Sequence, residues 1–124
     1  MPPPIDRKPQ LILLLENDAG VRRALHLMLR AHGFDVHAHE SAALLLVDPA
    51  IPAAEFLVAD YQLADGNGVD VLLTLRAIGW SGRAILITGA ASPALRAEAL
   101  AAGYAAVLEK PLQPHDVLHA LGSA

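Results

Sequence analysis

Short apolar runs alternate along the chain with longer segments in which apolar residues recur at helical spacing. The apolar runs are residues 11–15, 34–38, 56–59, 84–87 and 105–108. The segment after each run has apolar residues three and four positions apart, which is the spacing of an amphipathic helix. Strands that alternate with helices in this way are typical of βα units around a parallel sheet. The pattern therefore predicts an α/β fold with five parallel strands.

Residues that favour helix ends stand at the predicted boundaries. Ser41 and Ser92 each precede a helical segment, where a serine side chain can cap the first turn, and Pro93 suits the first helical position. Gly33 and Gly103 follow the first and fourth helical segments, and glycine is common just after a helix. These residues predict compact βα units joined by short loops.

Composition narrows the class of protein. The 124 residues fit one compact domain, and a hydrophobic fraction of 54% with only 4% aromatic residues predicts an aliphatic core. The net charge is −4 and no basic stripe with interleaved aromatic residues occurs, so nucleic acid is not expected as a direct ligand. The chain has no cysteine, which excludes a disulfide framework and a cysteine-ligated zinc site.

The start of the chain bears on location. The apolar run at residues 11–15 is far too short to span a bilayer, and the proline-rich start lacks the apolar core of a signal peptide. We therefore expect a cytoplasmic domain at residues 10–124, without a membrane partner. Residues 1–9, with four prolines, are expected to form a flexible leader.

Polar residues stand directly behind the apolar strands. Glu16 and Asn17 follow the first strand, Asp60 the third, Thr88 the fourth and Lys110 the fifth. In an open parallel sheet, ligands bind at the carboxyl ends of the strands. Asp60 alone could be no more than a turn residue, but the five residues together predict one site at this edge of the sheet.

The residue types indicate the chemistry of that site. Glu16, Asn17 and Asp60 would supply the oxygen ligands that Mg²⁺ prefers in proteins. Crowded carboxylates repel one another, and a divalent cation removes that repulsion. Lys110 adds a positive charge and Thr88 a hydroxyl donor, so the site could hold the additional negative charge of an acyl phosphate on Asp60.

Four segments in fixed order carry a resemblance to a known family. They are LLLEND with VRRAL after the first strand, LVADYQLADGNGVDVL around Asp60, ILITGA at the fourth strand and VLEKPL at the fifth. Together they strongly resemble the response-regulator receiver family of two-component signalling. The resemblance implies a flavodoxin-like (βα)5 three-layer sandwich with strand order 2-1-3-4-5. It also implies a phosphoacceptor switch rather than an enzyme, with Mg²⁺ as cofactor.

The resemblance also assigns roles to residues and partners. Asp60 would accept a phosphoryl group from a phosphohistidine of a sensor histidine kinase or histidine phosphotransfer protein, and Thr88 and Lys110 would carry the switch. The metal would be held by Glu16, Asn17, Asp60 and the backbone carbonyl of Gln62. The peptide bond between Lys110 and Pro111 would be cis, which proline allows. A homodimer is a further possible assembly. The segments around Asp60 and the fourth strand are also loosely similar in sequence to receiver domains fused to hybrid sensor kinases.

Two positions depart from the family pattern. Asn17 stands where the family usually has an aspartate that binds the metal, so a carbonyl oxygen is kept and a charge is lost. Val107 stands three residues before Lys110, where a tyrosine or phenylalanine is common. The first departure bears on metal affinity, and the second on the movement of an aromatic side chain after phosphorylation.

Two other functions stay open at this point. An aspartyl-nucleophile magnesium phosphohydrolase would need the same residue types, but Gln62 stands where such enzymes generally place a second acid. A receiver-like interaction module without phosphorylation is supported only by Asn17. The 124 residues contain no DNA-binding or catalytic output domain in addition to this one. The chain could therefore be a stand-alone regulator or part of a larger protein.

Basic and histidine side chains outside this site have alternative explanations. His115 and His119 could pinch a metal at helical spacing, but a solvated helix face is the better interpretation. His37 and His39 alternate on a predicted edge strand and are expected to be at least partly exposed. Arg23, His26 and Arg30 form either a solvated helix face or a docking rim for a histidine-bearing partner.

Overall fold

The computed structural model describes residues 8–122. Most of the predicted leader, residues 1–7, and the last two residues of the predicted domain lie outside the described residues. Within 8–122 no helix is both long and apolar enough to cross a membrane.

Five parallel strands form a single sheet. The strands are β1 (Leu11–Leu15), β2 (Asp35–His39), β3 (Ala54–Asp60), β4 (Arg83–Thr88) and β5 (Ala106–Glu109). Their order across the sheet is β2-β1-β3-β4-β5, and every neighbouring pair is parallel. The predicted fold class and strand order 2-1-3-4-5 are confirmed.

Helices cover both faces of this sheet. They are α1 (Ala19–Ala31), α2 (Ala42–Leu46), α3 (Gly68–Ala77), α4 (Pro93–Ala102) and α5 (Pro114–Ala120), with a short 3-10 turn at Ile51–Ala53. The predicted caps are present, since Ser41 and Ser92 accept backbone N–H groups of α2 and α4. Asp18 and Asn67 cap α1 and α3 in the same way, and these two caps were not predicted. A side-chain cap of this type is typically worth about 1 kcal/mol.

Alternate residues of the strands enter two separate cores. Ile12, Val58 and Ile87 pack with residues of α1 and α5, whereas Leu57 and Leu86 pack with residues of α2, α3 and α4. All five residues of β1 are buried, because this strand lies inside the sheet and is covered on both faces. The result is the predicted three-layer arrangement, with the carboxyl ends of the strands free to form a site.

β1 has the predicted bounds, and the other four strands differ from the predicted ones by one or two residues at their ends. Phe34 lies outside β2 because its N–H is used by the end of α1, where it donates to the carbonyl of Leu29. Asp60 is the last residue of β3 rather than the first of a loop, since it still pairs with Ile87. Glu109 extends β5 because Thr88 continues alongside it. The carboxyl ends of β3 and β5 are thus set by pairing with β4, which the apolar pattern alone does not contain.

Candidate functional site

The carboxyl edge of the sheet gathers the predicted site residues. Glu16, Asp60 and Thr88 have relative exposures of 0%, 4% and 3%, and they are the buried polar or charged residues within 8–122 apart from aromatic ones. Asp60 lies in the centre because β3 is the middle strand of five. Burial of two carboxylates without compensation is costly, so their positions point to a charge balance at this edge.

Lys110 provides part of that balance. Its Nζ donates to Asp60 Oδ2 at 3.0 Å and to Glu16 Oε1 at 3.2 Å. Its backbone N–H donates to the carbonyl of Thr88 at 2.8 Å, which fixes the start of the following loop against β4. The peptide bond between Lys110 and Pro111 is cis. One ammonium group therefore bridges two carboxylates that come from different strands.

Glu16 and Lys110 have shifted pKa values in this cluster. Burial and the neighbouring Asp60 raise the pKa of Glu16 to about 7. Burial lowers the pKa of Lys110, but its hydrogen bonds to Asp60 and Glu16 outweigh that effect and leave the pKa raised. Within residues 8–122, Glu16 Oε2 accepts no hydrogen bond, although Lys110 Nζ lies 3.1 Å away. This buried, incompletely satisfied oxygen fits an additional cation at the site.

The loop between β1 and α1 carries the other predicted ligand. Asn17 is exposed, and no hydrogen bond joins its side chain to Glu16, Asp60 or Lys110 in the described part of the chain. Asp18 is occupied as the helix cap, where its Oδ1 accepts the N–H of Val21 at 2.9 Å. That backbone hydrogen bond lowers the pKa of Asp18. Asp18 is therefore already engaged as a cap, whereas Asn17 is available.

A magnesium site here would rely on few charged ligands. No group of three histidine, cysteine, aspartate or glutamate residues within 8–122 is placed to hold a metal ion. Glu16 and Asp60 supply two carboxylates, and the remaining ligands would be carbonyl oxygens and water. This is acceptable for Mg²⁺, which usually keeps several waters and takes only one or two carboxylates. The donor set fits the cation, with Asn17 as the neutral member.

The loop after Asp60 is held close to the strand. The N–H of Gln62 donates to Asp60 Oδ1 at 3.2 Å, and the N–H of Tyr61 donates to the carbonyl of Ile87 at 2.7 Å. Gln62 and Leu63 then pair with Gly66 and Asn67 in a short antiparallel ribbon that was not predicted. The role of the Gln62 carbonyl as a metal ligand stays a prediction.

Thr88 is buried at the site but points its hydroxyl at its own loop. The hydroxyl accepts the N–H of Ala90 at 3.2 Å and donates to the carbonyl of Ala90 at 3.3 Å. Within the described residues it makes no hydrogen bond to Asp60 or Lys110. Its hydroxyl can serve a group on Asp60 only after it leaves Ala90.

Arg22 is a positioning residue that was not predicted from the sequence. Arg22 Nη1 donates to the backbone carbonyl of Glu16 at 2.8 Å, so the first turn of α1 holds the end of β1. The guanidinium also helps to lower the pKa of Asp18. The signal was the four-residue separation of Asp18 and Arg22, which places the two on one face of a helix.

The other histidines occupy two kinds of environment. His115 and His119 are exposed on α5, while Val117 is buried, which agrees with a solvated helix face. His37 and His39 are partly exposed as predicted, with side-chain exposures of 39% and 19%. Both rings contact the same oxygen, Oδ2 of Asp48, at 2.9 and 2.8 Å, and this shared carboxylate was not predicted.

An apolar groove of about 560 Å³ runs from the site along α1. It is lined by Val21, Ala24, Leu25, Met28, Leu112 and Val117, and Lys110 and Pro111 close the end near Asp60. On the same helix, Arg23 and Arg30 are exposed and His26 is half-buried. The groove therefore joins an apolar surface to the acidic site, whereas Arg23, His26 and Arg30 share another face of α1.

The sequence matches the model of one protein family, the response regulator receiver domain, over residues 12–122. It is 30% identical to the transcriptional regulatory protein FixJ of Rhizobium meliloti over 111 residues, which is 90% of this chain and 54% of that protein. It is 31% identical to the acid tolerance regulatory protein ActR of the same organism, covering 89% and 57% of the two chains. The chain thus spans about half the length of these relatives.

Solved structures show the same architecture. The crystal structure of FixJ-N has a TM-score of 0.81 at 28% identity and covers 94% of this chain and 93% of that one. The non-phosphorylated HemR receiver domain of Leptospira biflexa has a TM-score of 0.81 at 26% identity, with 91% of each chain covered. A CheY-like receiver domain from Methanospirillum hungatei, at 24% identity and a TM-score of 0.83, shares the fold. The chain belongs to the response-regulator receiver family, whose domains are phosphoacceptor signalling switches.

Proposed function

We propose that Asp60 is the phosphoacceptor of this domain and that the phosphoryl group comes from a phosphohistidine. In this step an Asp60 carboxylate oxygen forms a bond to phosphorus, the P–N bond of the donor breaks, and the leaving imidazole nitrogen takes up a proton. The observation that carries the proposal is the contact between Lys110 Nζ and Asp60 Oδ2 at 3.0 Å, in a site where Asp60 is 4% exposed. The result is a charge-paired carboxylate that can be approached from the edge of the sheet.

The residues around Asp60 would stabilise the product. The Lys110 ammonium can stay beside the negative charge that builds up on the phosphoryl oxygens, and a preorganised charge of this kind is a large contributor to catalysis. The N–H of Gln62, which donates to Asp60 Oδ1, can keep the carboxylate oriented while its other oxygen reacts. Thr88 can donate its hydroxyl to a phosphoryl oxygen once it leaves Ala90.

The metal belongs to the same proposal. Glu16, Asn17, Asp60 and the backbone carbonyl of Gln62 are the groups that would hold Mg²⁺. When bound, Mg²⁺ would screen the charge between the incoming phosphoryl group and the carboxylates. The support from this chain is the buried oxygen Glu16 Oε2, which has no hydrogen bond within residues 8–122. Glu16 is therefore proposed as the principal carboxylate for the metal beside Asp60.

The donor is proposed to be a sensor histidine kinase or a histidine phosphotransfer protein that docks along α1. The apolar groove that ends at Lys110 would receive an apolar helix, and Arg23, His26 and Arg30, on another face of α1, would offer further basic contacts to the partner. A cytoplasmic location and the absence of direct nucleic-acid contact are part of the proposal. The net charge of −4 supports the second point. A homodimer is compatible with it, but no observation on the described residues favours one.

The alternatives are less well supported. FixJ and ActR are regulators, and receiver domains are switches rather than enzymes, so the phosphohydrolase reading is not favoured. A receiver-like module without phosphorylation would have no need for Lys110 between two buried carboxylates. That arrangement costs desolvation energy, which a role in phosphoryl transfer explains.

The acceptor can be tested by intact-mass measurement. Incubation with Mg²⁺ and a small acyl phosphate should add one phosphoryl group to the wild type and none to Asp60→Asn. Asp35→Asn is the matched control, because Asp35 is exposed at the opposite end of β2 and its loss removes the same charge. A phosphorylated Asp60→Asn variant, or an unmodified wild type under conditions that label another receiver domain, would refute the proposal.

A further inference from the structure

The loop between β4 and α4 is held in place by a carboxylate from the edge strand. The N–H of Ala91 donates to Glu109 Oε1 at 2.9 Å, although the two residues are 18 positions apart. Thr88 and Glu109 are partners in the parallel register of β4 and β5, so the glutamate lies beside the start of this loop. The loop is therefore fixed to β5 as well as to its own strand.

The same loop holds the Thr88 hydroxyl away from Asp60. Both hydrogen bonds of that hydroxyl go to the backbone of Ala90, the residue directly before Ala91. A hydroxyl that turns towards Asp60 must give up both bonds, and Ala90 must then rearrange. Since Ala91 follows directly in the chain, its N–H is expected to lose alignment with Glu109 in the same movement. Loss of alignment matters because hydrogen bonds weaken steeply with angle.

The hydrogen bond between Ala91 and Glu109 matters more because position 107 is a valine. Val107 is half-buried and packs against the core beside α4, and its side chain has no polar group that could bind the loop. Its backbone carbonyl accepts a long hydrogen bond from Arg96 Nη1 of α4 at 3.3 Å. The polar connections from β5 to the loop and to α4 are therefore made at Glu109 and at the Val107 backbone, on either side of Leu108.

We propose that Glu109 is a positioning residue that holds the β4–α4 loop in the state where Thr88 is turned away from Asp60. The inference rests on the proposed phosphorylation of Asp60. With a phosphoryl group on Asp60, a new hydrogen bond from the Thr88 hydroxyl to that group competes with the Ala91–Glu109 hydrogen bond. Release of that bond frees the Glu109 side chain and the edge of β5. This change would signal the phosphorylated state in a chain that has Val107 in place of an aromatic residue. A state can be favoured only by such a difference in contacts.

Three variants test the proposal. Glu109→Ala removes the acceptor and should raise the population of the released loop, so phosphorylation by a small acyl phosphate should be faster by roughly two- to fivefold, as expected for loss of one exposed hydrogen bond. Glu109→Gln keeps a carbonyl oxygen and should restore a rate close to wild type. Glu55→Ala removes an exposed carboxylate at the other end of the sheet, near the start of β3, and should change nothing.

A structural readout separates positioning from a general loss of stability. The amide signals of Ala90 and Ala91 in Glu109→Ala without phosphate should be displaced towards the positions that the wild type takes with beryllium trifluoride, a phosphoryl mimic. Unchanged amide signals, or a rate equal to wild type in Glu109→Ala, would overturn the inference while leaving Asp60 phosphorylation intact. A wild type that gains no phosphoryl group would overturn the proposed function, and the inference with it.

Discussion

Lys110 Nζ lies 3.0 Å from Asp60 Oδ2 and 3.1 Å from Glu16 Oε2, so one ammonium group faces two buried carboxylates at once. Removal of Lys110 leaves both carboxylates without their cation, which is costly in a buried site. Lys110→Gln should therefore lower the phosphorylation rate, on the order of 100-fold, as for loss of one preorganised charge-stabilising group.

A second measurement shows whether that loss is chemical or structural. Mg²⁺ should raise the melting temperature of Lys110→Gln more than that of the wild type, because the added cation takes over part of the missing charge. Lys8→Gln removes an exposed positive charge and should behave as wild type in both assays. Equal phosphorylation rates in Lys110→Gln and the wild type would contradict the role of Lys110.

Asn17 is the proposed ligand that should limit the affinity of the site for Mg²⁺. A neutral carbonyl binds a small, strongly hydrated cation less well than a carboxylate. Asn17→Asp should therefore bind Mg²⁺ roughly tenfold more tightly, which equals about 1.4 kcal/mol, and should be phosphorylated faster. Titration calorimetry is the suitable measurement. Trp80 donates to the carbonyl of Ala54 at the far end of β3, so its fluorescence is poorly placed to report on the site.

Asp18 provides the control for this substitution. Its carboxylate caps α1, so Asp18→Ala should reduce the free energy of unfolding by about 1 kcal/mol and leave Mg²⁺ affinity nearly unchanged. An unchanged affinity in Asn17→Asp, combined with a loss in Asp18→Ala, would move the metal ligand from position 17 to position 18.

The convergence at the carboxyl edge could be predicted because it follows from strand direction alone. Asp60 ends one strand and Lys110 follows another, and a parallel sheet brings the carboxyl ends of its strands to the same edge. The sharing of Asp48 between two histidines could not be predicted, since it depends on how the turn after α2 folds back onto β2. The orientation of the Thr88 hydroxyl could not be predicted either, because it depends on a side-chain rotamer, about which apolar spacing carries no information.

Asp48 should make stability depend on pH in the acid range. The carboxylate is nearly buried; burial acts to raise its pKa, but hydrogen bonds from the Ala50 N–H and both histidines outweigh burial and lower the pKa to about 2, against an ordinary value of 3.8. Because the folded pKa is the lower one, this stabilisation is complete above about pH 4 and is lost as pH falls towards 2. The difference corresponds to about 2 kcal/mol.

Urea unfolding of the wild type and Asp48→Asn at a series of pH values tests this. The wild type should lose stability relative to Asp48→Asn between about pH 4 and pH 2, where the advantage of the carboxylate disappears. Asp35→Asn serves as the control, because Asp35 is an exposed aspartate on the same strand as the two histidines. A constant difference between wild type and Asp48→Asn across this range would show that the carboxylate is not stabilised as described.

Position 68 needs glycine because it lies very close to the backbone of β3, and not because of its backbone angles. A Cβ at this position would lie 2.5 Å from the carbonyl oxygen of Asp60 and 2.9 Å from Leu86 Cδ1. Since the neighbour at 2.5 Å is backbone, Gly68→Ala must displace either the end of β3 or the first turn of α3. That turn is also anchored by Tyr104, whose buried hydroxyl donates to the carbonyl of Gly68 at 2.6 Å. We expect a loss of about 1–3 kcal/mol in the free energy of unfolding, as for overpacked cores, together with slower phosphorylation of Asp60.

Gly89→Ala is the control for stability, because a Cβ there meets no atom within 4 Å. Chemical denaturation and intact-mass kinetics measure the two effects. A Gly68→Ala variant with wild-type stability and wild-type phosphorylation would show that this contact relaxes without moving Asp60.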